Sequence, residues 1–299
     1  MDINNLYKNG YPWSRDEFTE CLDEQAEKRI DINMASVILI DGGQGQGKTT
    51  LAVHIADHHN KRKGLPPIDL SVRGHKQIGL GGVDFISKFN KCKRENLPVL
   101  IYDEAGDYSK ASTLSWFNYQ LSKLFQKIRS AKIIVLLCLP NFNILDNRLF
   151  DDEIIRGAIH CHGRQMTINY GNFDVYDMDQ LSWIRYWYSK LPSARRKACY
   201  GMVSPLFQSH FKNLPPTRAK KLEILSNFGK EKERQEAEVN MRGLLDYKAL
   251  ASETNRTEQY IRQLVHRFNI NSAETIGRKA YFDKGALKRL EKYFESKQK

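Results

Sequence analysis

Apolar residues fall in short unbroken runs separated by stretches of helical period. SVILI (36–40) has the length and β-branching of a buried strand. KTTLAVHIADHHNK follows it as about three turns of helix, with Leu51, Ala52, Ile55 and Ala56 on one face, and it stops before GLPP (64–67). GVDFISKFNKCKREN (82–96) has a helical pattern and delivers the chain into a second apolar run, PVLIYDEAG (98–106), which ends in acids. LSWFNYQLSKLFQKIRS (114–130) is an amphipathic helix, KIIVLLCLPNF (132–142) a third buried strand and IRGAIHCH (155–162) a fourth. RQMTINYGNFDVYDM (164–178) alternates around Gly-Asn as a hairpin does. Before all of this comes a polar lead-in, residues 1–33, with a helix near 16–29.

Strands alternating with helices predict a parallel sheet covered by helices on both faces. The expected division is a lead-in (1–33), an α/β domain (34–190), a basic helical linker (191–242) and a small, mainly helical domain (243–299).

Charge sharpens this picture. The chain of 299 residues carries a net charge of +12. From Lys190 onward there are 24 Lys/Arg against 12 Asp/Glu, and 23 of each precede it, so all the excess lies in the last third. Such asymmetry suits a polyanion partner, most simply nucleic acid. No apolar window is long enough for a transmembrane helix, and the N-terminus lacks a secretory h-region. Five scattered cysteines without CxxC spacing fit a reducing compartment. The expected location is cytoplasmic.

The chemistry concentrates in DGGQGQGKTT (41–50). Gly42-x-x-x-x-Gly47-Lys48-Thr49 is a full Walker A pattern. Gly42, Gly43, Gln44, Gly45, Gln46 and Gly47 form the loop, whose glycines let successive backbone N–H groups turn toward phosphate oxygens. Lys48 is placed for the β and γ phosphates of ATP, Thr49 for Mg2+, and Thr50 completes the site. Asp103, at the end of VLIYD, is the second Mg2+ residue, and Glu104 the base that polarises the attacking water. An Asp-Glu pair implies hydrolysis. Asn141 stands at the end of KIIVLLCLP, where a polar sensor of the γ-phosphate belongs.

The run from Asp103 to Arg164 resembles the FtsK/HerA-type DNA-pumping ATPases and the Zot-like proteins of phages and plasmids. The residues carrying the resemblance are Asp103-Glu104-Ala105, Arg129, the strand into Asn141 and Leu145-Asp146-Asn147-Arg148. The family usually has Gln where this chain has Asn141. The resemblance covers roughly residues 34–180. It implies a P-loop NTPase of RecA/ASCE type, a homo-oligomer that can be a ring or hexamer, and an arginine acting across the subunit boundary, with Arg129, Arg148 and Arg156 as the options.

LLDYKALASETNRTEQYIRQLVHRFNI (244–270) has helix-turn-helix spacing. Ala251 is small where helices cross, Asn255 tolerates a left-handed turn, Thr257 caps the next helix, and Ile261 and Leu264 point inward. With GRKAYFD (277–283) as a β-wing, the segment resembles the winged-helix modules of excisionase-type regulators. Thr257, Gln259, Arg262, Gln263 and His266 would then face the bases of double-stranded DNA, and Arg256, Arg267, Arg278 and Lys279 its phosphates. A protein-docking domain is the competing reading.

Other features are read as structural. His54 and His58 lie four apart on the Walker A helix without a third metal ligand. His160 and His162 share a strand face opposite Cys161. Trp183, Tyr186, Trp187 and Tyr188, beside Arg185, read as a hydrophobic helix face in preference to a base-stacking surface. The expected function is a Mg·ATP-hydrolysing, DNA-binding ATPase of a virus, plasmid or conjugative element that translocates or remodels DNA. The alternatives are an ATP-switched replication initiator or regulator, and a Zot-like assembly ATPase working through protein contacts.

Overall fold

The computed structural model describes residues 10–32, 36–103, 131–141, 145, 150, 155–165, 170–241, 244–276 and 279–298. It divides into two compact units, Met1–Asn227 and Phe228–Lys299.

The first unit is built on a seven-stranded sheet. In chain order its strands are β1 (Ser36–Asp41), β2 (Ile78–Leu80), β3 (Val99–Asp103), β4 (Ile134–Leu139), β5 (Ile155–Gln165), β6 (Tyr170–Tyr176) and β7 (Phe207–Lys212). Their spatial order is β2-β3-β4-β1-β5-β6-β7. The first five are parallel, and β6 and β7 add antiparallel to the β5 edge. β1, β3 and β4 are buried along their whole length, as strands covered on both faces must be.

Alternate residues of β1 separate the two cores. Ile38 and Ile40 pack with Leu51 and Ile55 of α3 (Lys48–Arg62), the helix that follows β1. Val37 and Leu39 face the opposite side, with Phe85 and Phe89 of α4 (Gly82–Glu95) and Leu181 and Ile184 of α5 (Met178–Lys190). α5 starts with a capping box: the Asp177 side chain accepts from Gln180 N, and the Gln180 side chain accepts from Asp177 N.

Three expectations are corrected here. The polar lead-in is part of the core. Trp13 and Phe18 are each 1% exposed and pack behind α3. Helix α1 (Asp16–Leu22) continues through a π-helical turn (Asp23–Lys28) into α2 (Arg29–Asp31). This segment brings two carboxylates to the last turn of α3. His59 Nδ1 is 2.7 Å from Glu27 Oε1, Arg62 donates to Glu27 Oε2 at 2.5 Å, and His58 Nε2 is 2.9 Å from Asp23 Oδ1.

The expected linker is not all linker. Residues 207–212 form β7, with Phe207 and Phe211 turned into the core. β7 also meets the start of the chain: Ser14 N donates to His210 O at 3.1 Å and Lys212 N to Pro12 O at 2.8 Å. The helix after it, α6 (Pro216–Met241), contains most of the remaining linker sequence.

Gly171-Asn172 is not the hairpin turn. Both residues pair inside β6 with β7. A Cβ on Gly171 would overlap the Phe211 ring, so the glycine provides room for packing. The expected helix at 114–130 lies outside the described residues.

The second unit has its own core around Leu250, Ile261, Leu264, Phe282 and Leu290. Helix α7 (Tyr247–Glu253) is capped by Asp246, whose side chain accepts from Ala249 N at 2.8 Å. A tight turn leads to α8 (Glu258–Arg267). Strands β8 (Leu245–Asp246), β9 (Glu274–Ile276) and β10 (Lys279–Phe282) form a sheet in the order β8-β10-β9, and α9 (Lys284–Gln298) closes the unit. No helix among the described residues is long and apolar enough to cross a membrane.

Candidate nucleotide site

The loop 42–47 leaves the C-terminal end of β1 and enters α3. Its glycines are conformational requirements. Gly42, Gly45 and Gly47 have φ of 140°, 77° and 90°, a region side chains disfavour. Gly42 has a second constraint, since a Cβ there would overlap the carbonyl oxygen of Cys161 on β5. Gly43 N donates to the Gln46 side chain, closing the loop on itself. Gln44 and Gly45 are exposed at its tip, and Thr50 is buried in the first turn of α3.

Lys48 bends back over the loop, and its Nζ donates to Gly42 O and Gly43 O at 2.8 and 2.9 Å. The Thr49 hydroxyl donates to Asp103 Oδ1 at 2.9 Å. Two residues 54 positions apart therefore meet at the mouth of the loop, and they are the two that sequence reasoning assigned to Mg2+. One strand, β4, lies between the loop-bearing β1 and the Asp103-bearing β3. The order β5-β1-β4-β3-β2, with a glycine loop between the central strand and its helix, is that of RecA/ASCE-like P-loop NTPases. The chain has this fold.

The residues present fit a magnesium nucleotide. The loop offers backbone amides at the positive end of α3, and Lys48 offers a cation. Thr49 and Asp103 offer one hydroxyl and one carboxylate, the hard oxygens that Mg2+ prefers.

Other predicted residues are placed as follows. Asn141 stands two residues beyond β4, and its Nδ2 donates to the Tyr188 hydroxyl of α5 at 2.9 Å. Glu104, Arg129 and Arg148 lie outside the described residues. Arg156 lies on β5, where its backbone alone is described.

A polar cluster that sequence reasoning missed sits at the root of the loop. Asp41, the last residue of β1, is fully buried. His160 Nδ1 is 2.8 Å from its Oδ1, and the Tyr200 hydroxyl donates to its Oδ2. Tyr200 comes from a 3-10 segment, Ser193–Met202, and its ring stacks on His160 with centroids 3.7 Å apart. Burial and the Asp41 charge push the Tyr200 phenol up, so it remains a donor. Next to it His162 Nε2 is 3.0 Å from Asp174 Oδ1, which raises the imidazole's pKa against the opposing effect of burial. The available signal was Asp41 itself, an acid directly before the glycines and at the end of an apolar strand.

His54 and His58 turn to different partners, the Lys212 carbonyl at 2.8 Å and Asp23. Among the described residues, no group of three His, Cys, Asp or Glu side chains is arranged to hold a metal ion.

In the second unit, Asn255 adopts φ of 50° in the turn between α7 and α8. The Thr257 hydroxyl accepts from Tyr260 N at 3.3 Å as the cap of α8. Ala251, Ile261 and Leu264 are buried, while Arg256, Thr257, Gln259, Arg262, Gln263, His266 and Arg267 are exposed. Arg262 pairs with Glu258 at 2.6 Å and lies over the Tyr247 ring. Arg278 is outside the described residues, and Lys279 lies on β10.

No family model matches the chain, and no curated protein matches it. Among solved structures it is similar to a KaiC-like protein from the hyperthermophilic archaeon Pyrococcus horikoshii OT3. The identity is 16% and the TM-score 0.32, over 48% of this chain and 78% of that one.

Proposed function

We propose that the chain is a Mg·ATP-hydrolysing, DNA-binding ATPase that couples turnover to movement or remodelling of DNA, as a virus, plasmid or conjugative element requires. The observation that carries this reading is the meeting of Thr49 and Asp103 at 2.9 Å across the mouth of a glycine loop, with β4 set between their strands. Bound Mg·ATP supplies the transferable phosphoryl group and the charge that neutralises it.

Each residue then has a defined task. Backbone amides of Gly43 to Thr50 hold phosphate oxygens. Lys48, now on the Gly42 and Gly43 carbonyls, would neutralise charge on the γ-phosphate of a bound nucleotide. Thr49 and Asp103 hold the ion. Glu104 accepts the proton of the attacking water. Asn141 senses the phosphate from the end of β4. An arginine, Arg129, Arg148 or Arg156, reaches the site from a neighbouring subunit of a homo-oligomer. The exposed face of α8 and the ribbon β9–β10 act as a winged helix on double-stranded DNA. Arg262 must release Glu258 to touch a base.

The test is ATP hydrolysis by the whole chain with and without long duplex DNA, alongside Asp103→Asn and Glu104→Gln. DNA should raise turnover many-fold, Glu104→Gln should reduce it by about 100-fold or more, and Asp103→Asn should also reduce it. Equal turnover with and without DNA overturns the coupled-motor reading. If ATP then changes affinity for one DNA sequence, the chain is an ATP-switched initiator or regulator.

A further inference from the structure

We propose that helix α5 carries a second nucleic-acid surface, specific for a single strand and distinct from the C-terminal unit. The aromatic run 183–188 is a hydrophobic helix face only in part: Trp187 and Tyr188 pack against the core, while Trp183 and Tyr186 turn outward. Ile184 and Leu181 fill the core, but Trp183 is 58% exposed and Tyr186 47%. These two rings are three residues apart on one side of the helix, with centroids 5.9 Å apart and planes at 83°. One turn later, Lys190 Nζ lies 5.5 Å from the Tyr186 ring centroid. Two rings and a cation thus stand in an outward row about 10 Å long. The segment that follows exposes Arg195, Arg196 and Lys197. Between residues 180 and 202 there are five Lys/Arg and no Asp or Glu; Arg185 is turned onto the Phe150 ring, and the other four are exposed.

The chemistry selects the occupant. Exposed aromatic rings bind any base by its π-face, and flanking cations follow the phosphates; together these are the elements of a single-strand site. A duplex hides its base faces in the stack and cannot use the rings. An apolar protein partner would not account for the uninterrupted positive charge. A second copy of this surface packed on the first would set like charges against each other.

The surface is also tied to the nucleotide site. Tyr188, on the same helix, accepts a hydrogen bond from Asn141 at the end of β4. Strand binding and nucleotide state therefore act on one helix. Only this coupling rests on the ATPase reading; the binding surface does not.

The test uses the full-length chain, a fluorescein-labelled oligo(dT) of about 20 nucleotides and a duplex of equal length. Affinity is read by fluorescence anisotropy for the wild type, Trp183→Phe and the double variant Trp183→Ala/Tyr186→Ala, all checked for fold by thermal unfolding. The double variant should weaken oligo(dT) binding about tenfold or more and leave duplex affinity within twofold, while Trp183→Phe keeps most of the binding. Equal oligo(dT) affinity in wild type and double variant overturns the proposal. So does a fall in sedimenting mass in the double variant with oligo(dT) affinity unchanged, which would make the face a self-association surface. Basal ATP hydrolysis, measured without nucleic acid, tests the ATPase reading separately.

Discussion

Replacing Glu27 with glutamine removes the charge at the centre of the contact between the N-terminal segment and α3. Glu27 is 7% exposed. Burial opposes its ionisation, but hydrogen bonds from His59 and Arg62 and their charges outweigh that and hold the carboxyl at about 2, against 4.5 for a free glutamate. A folded pKa below the unfolded one means stability present above the unfolded value and lost as pH falls toward the folded value. The difference corresponds to about 3 kcal/mol at neutral pH. Arg62 is half-exposed and regains water in the variant, so the expected loss is about 2–3 kcal/mol, well above the 0–1 kcal/mol typical of a surface pair. The assay is urea unfolding of wild type and Glu27→Gln from pH 7 to pH 2.5. The gap between the two proteins should be constant above about pH 5 and close progressively as pH falls through 4.5 toward 2. A gap under about 1 kcal/mol at pH 7, or one that does not change with pH, would falsify the reasoning.

Two further outcomes follow from the site and the C-terminal unit. Tyr200→Phe leaves one oxygen of the buried Asp41 carboxylate without its phenolic donor and should lower the unfolding free energy by about 1–3 kcal/mol, with weaker binding of a fluorescent ATP analogue; unchanged melting and binding would show that the phenol does not hold the loop root. Asn255→Ala forces an alanine into a left-handed turn and should cost the C-terminal unit about 1–2 kcal/mol in a denaturant melt, with Asn255→Gly retaining stability; an alanine variant as stable as the wild type would remove the geometric reason for asparagine there.

The features legible in the sequence were those whose cause is local. The glycine loop, β1, α3 and Asp103 carry their requirements in adjacent residues: positive φ, an apolar run, a helical period, an acid at a strand end. Asn255 and Thr257 were readable for the same reason, since a left-handed turn and a helix cap each depend on one residue. The misread elements owe their structure to distant partners. Trp13 and Phe18 look like stray aromatics in a polar leader until α3 and β7 cover them. FQSHFK turns Phe207, Ser209 and Phe211 inward, but six residues among basic neighbours are too few to outweigh their surroundings. Gly171 mimics a turn because room for a ring 40 residues away has the same sequence signature as room for a bend. Trp183 and Tyr186 have the composition of a buried face, and only the position of Ile184 and Leu181 shows which side of the helix is inside.

The clasp between the start of the chain and β7 bears on how the protein is made. Pro12, Trp13 and Ser14 find their partners on residues 210–212, so this segment is synthesised well before the strand that satisfies it. Roughly 200 residues must be added in between, which at ordinary synthesis rates of about 5–20 residues per second takes about 10–40 s. Throughout that interval Trp13 and Phe18 lack the strand that covers them. The N-terminal segment is thus a late-closing seam, and a nascent chain stalled before Lys212 presents it as exposed apolar surface to chaperones and proteases.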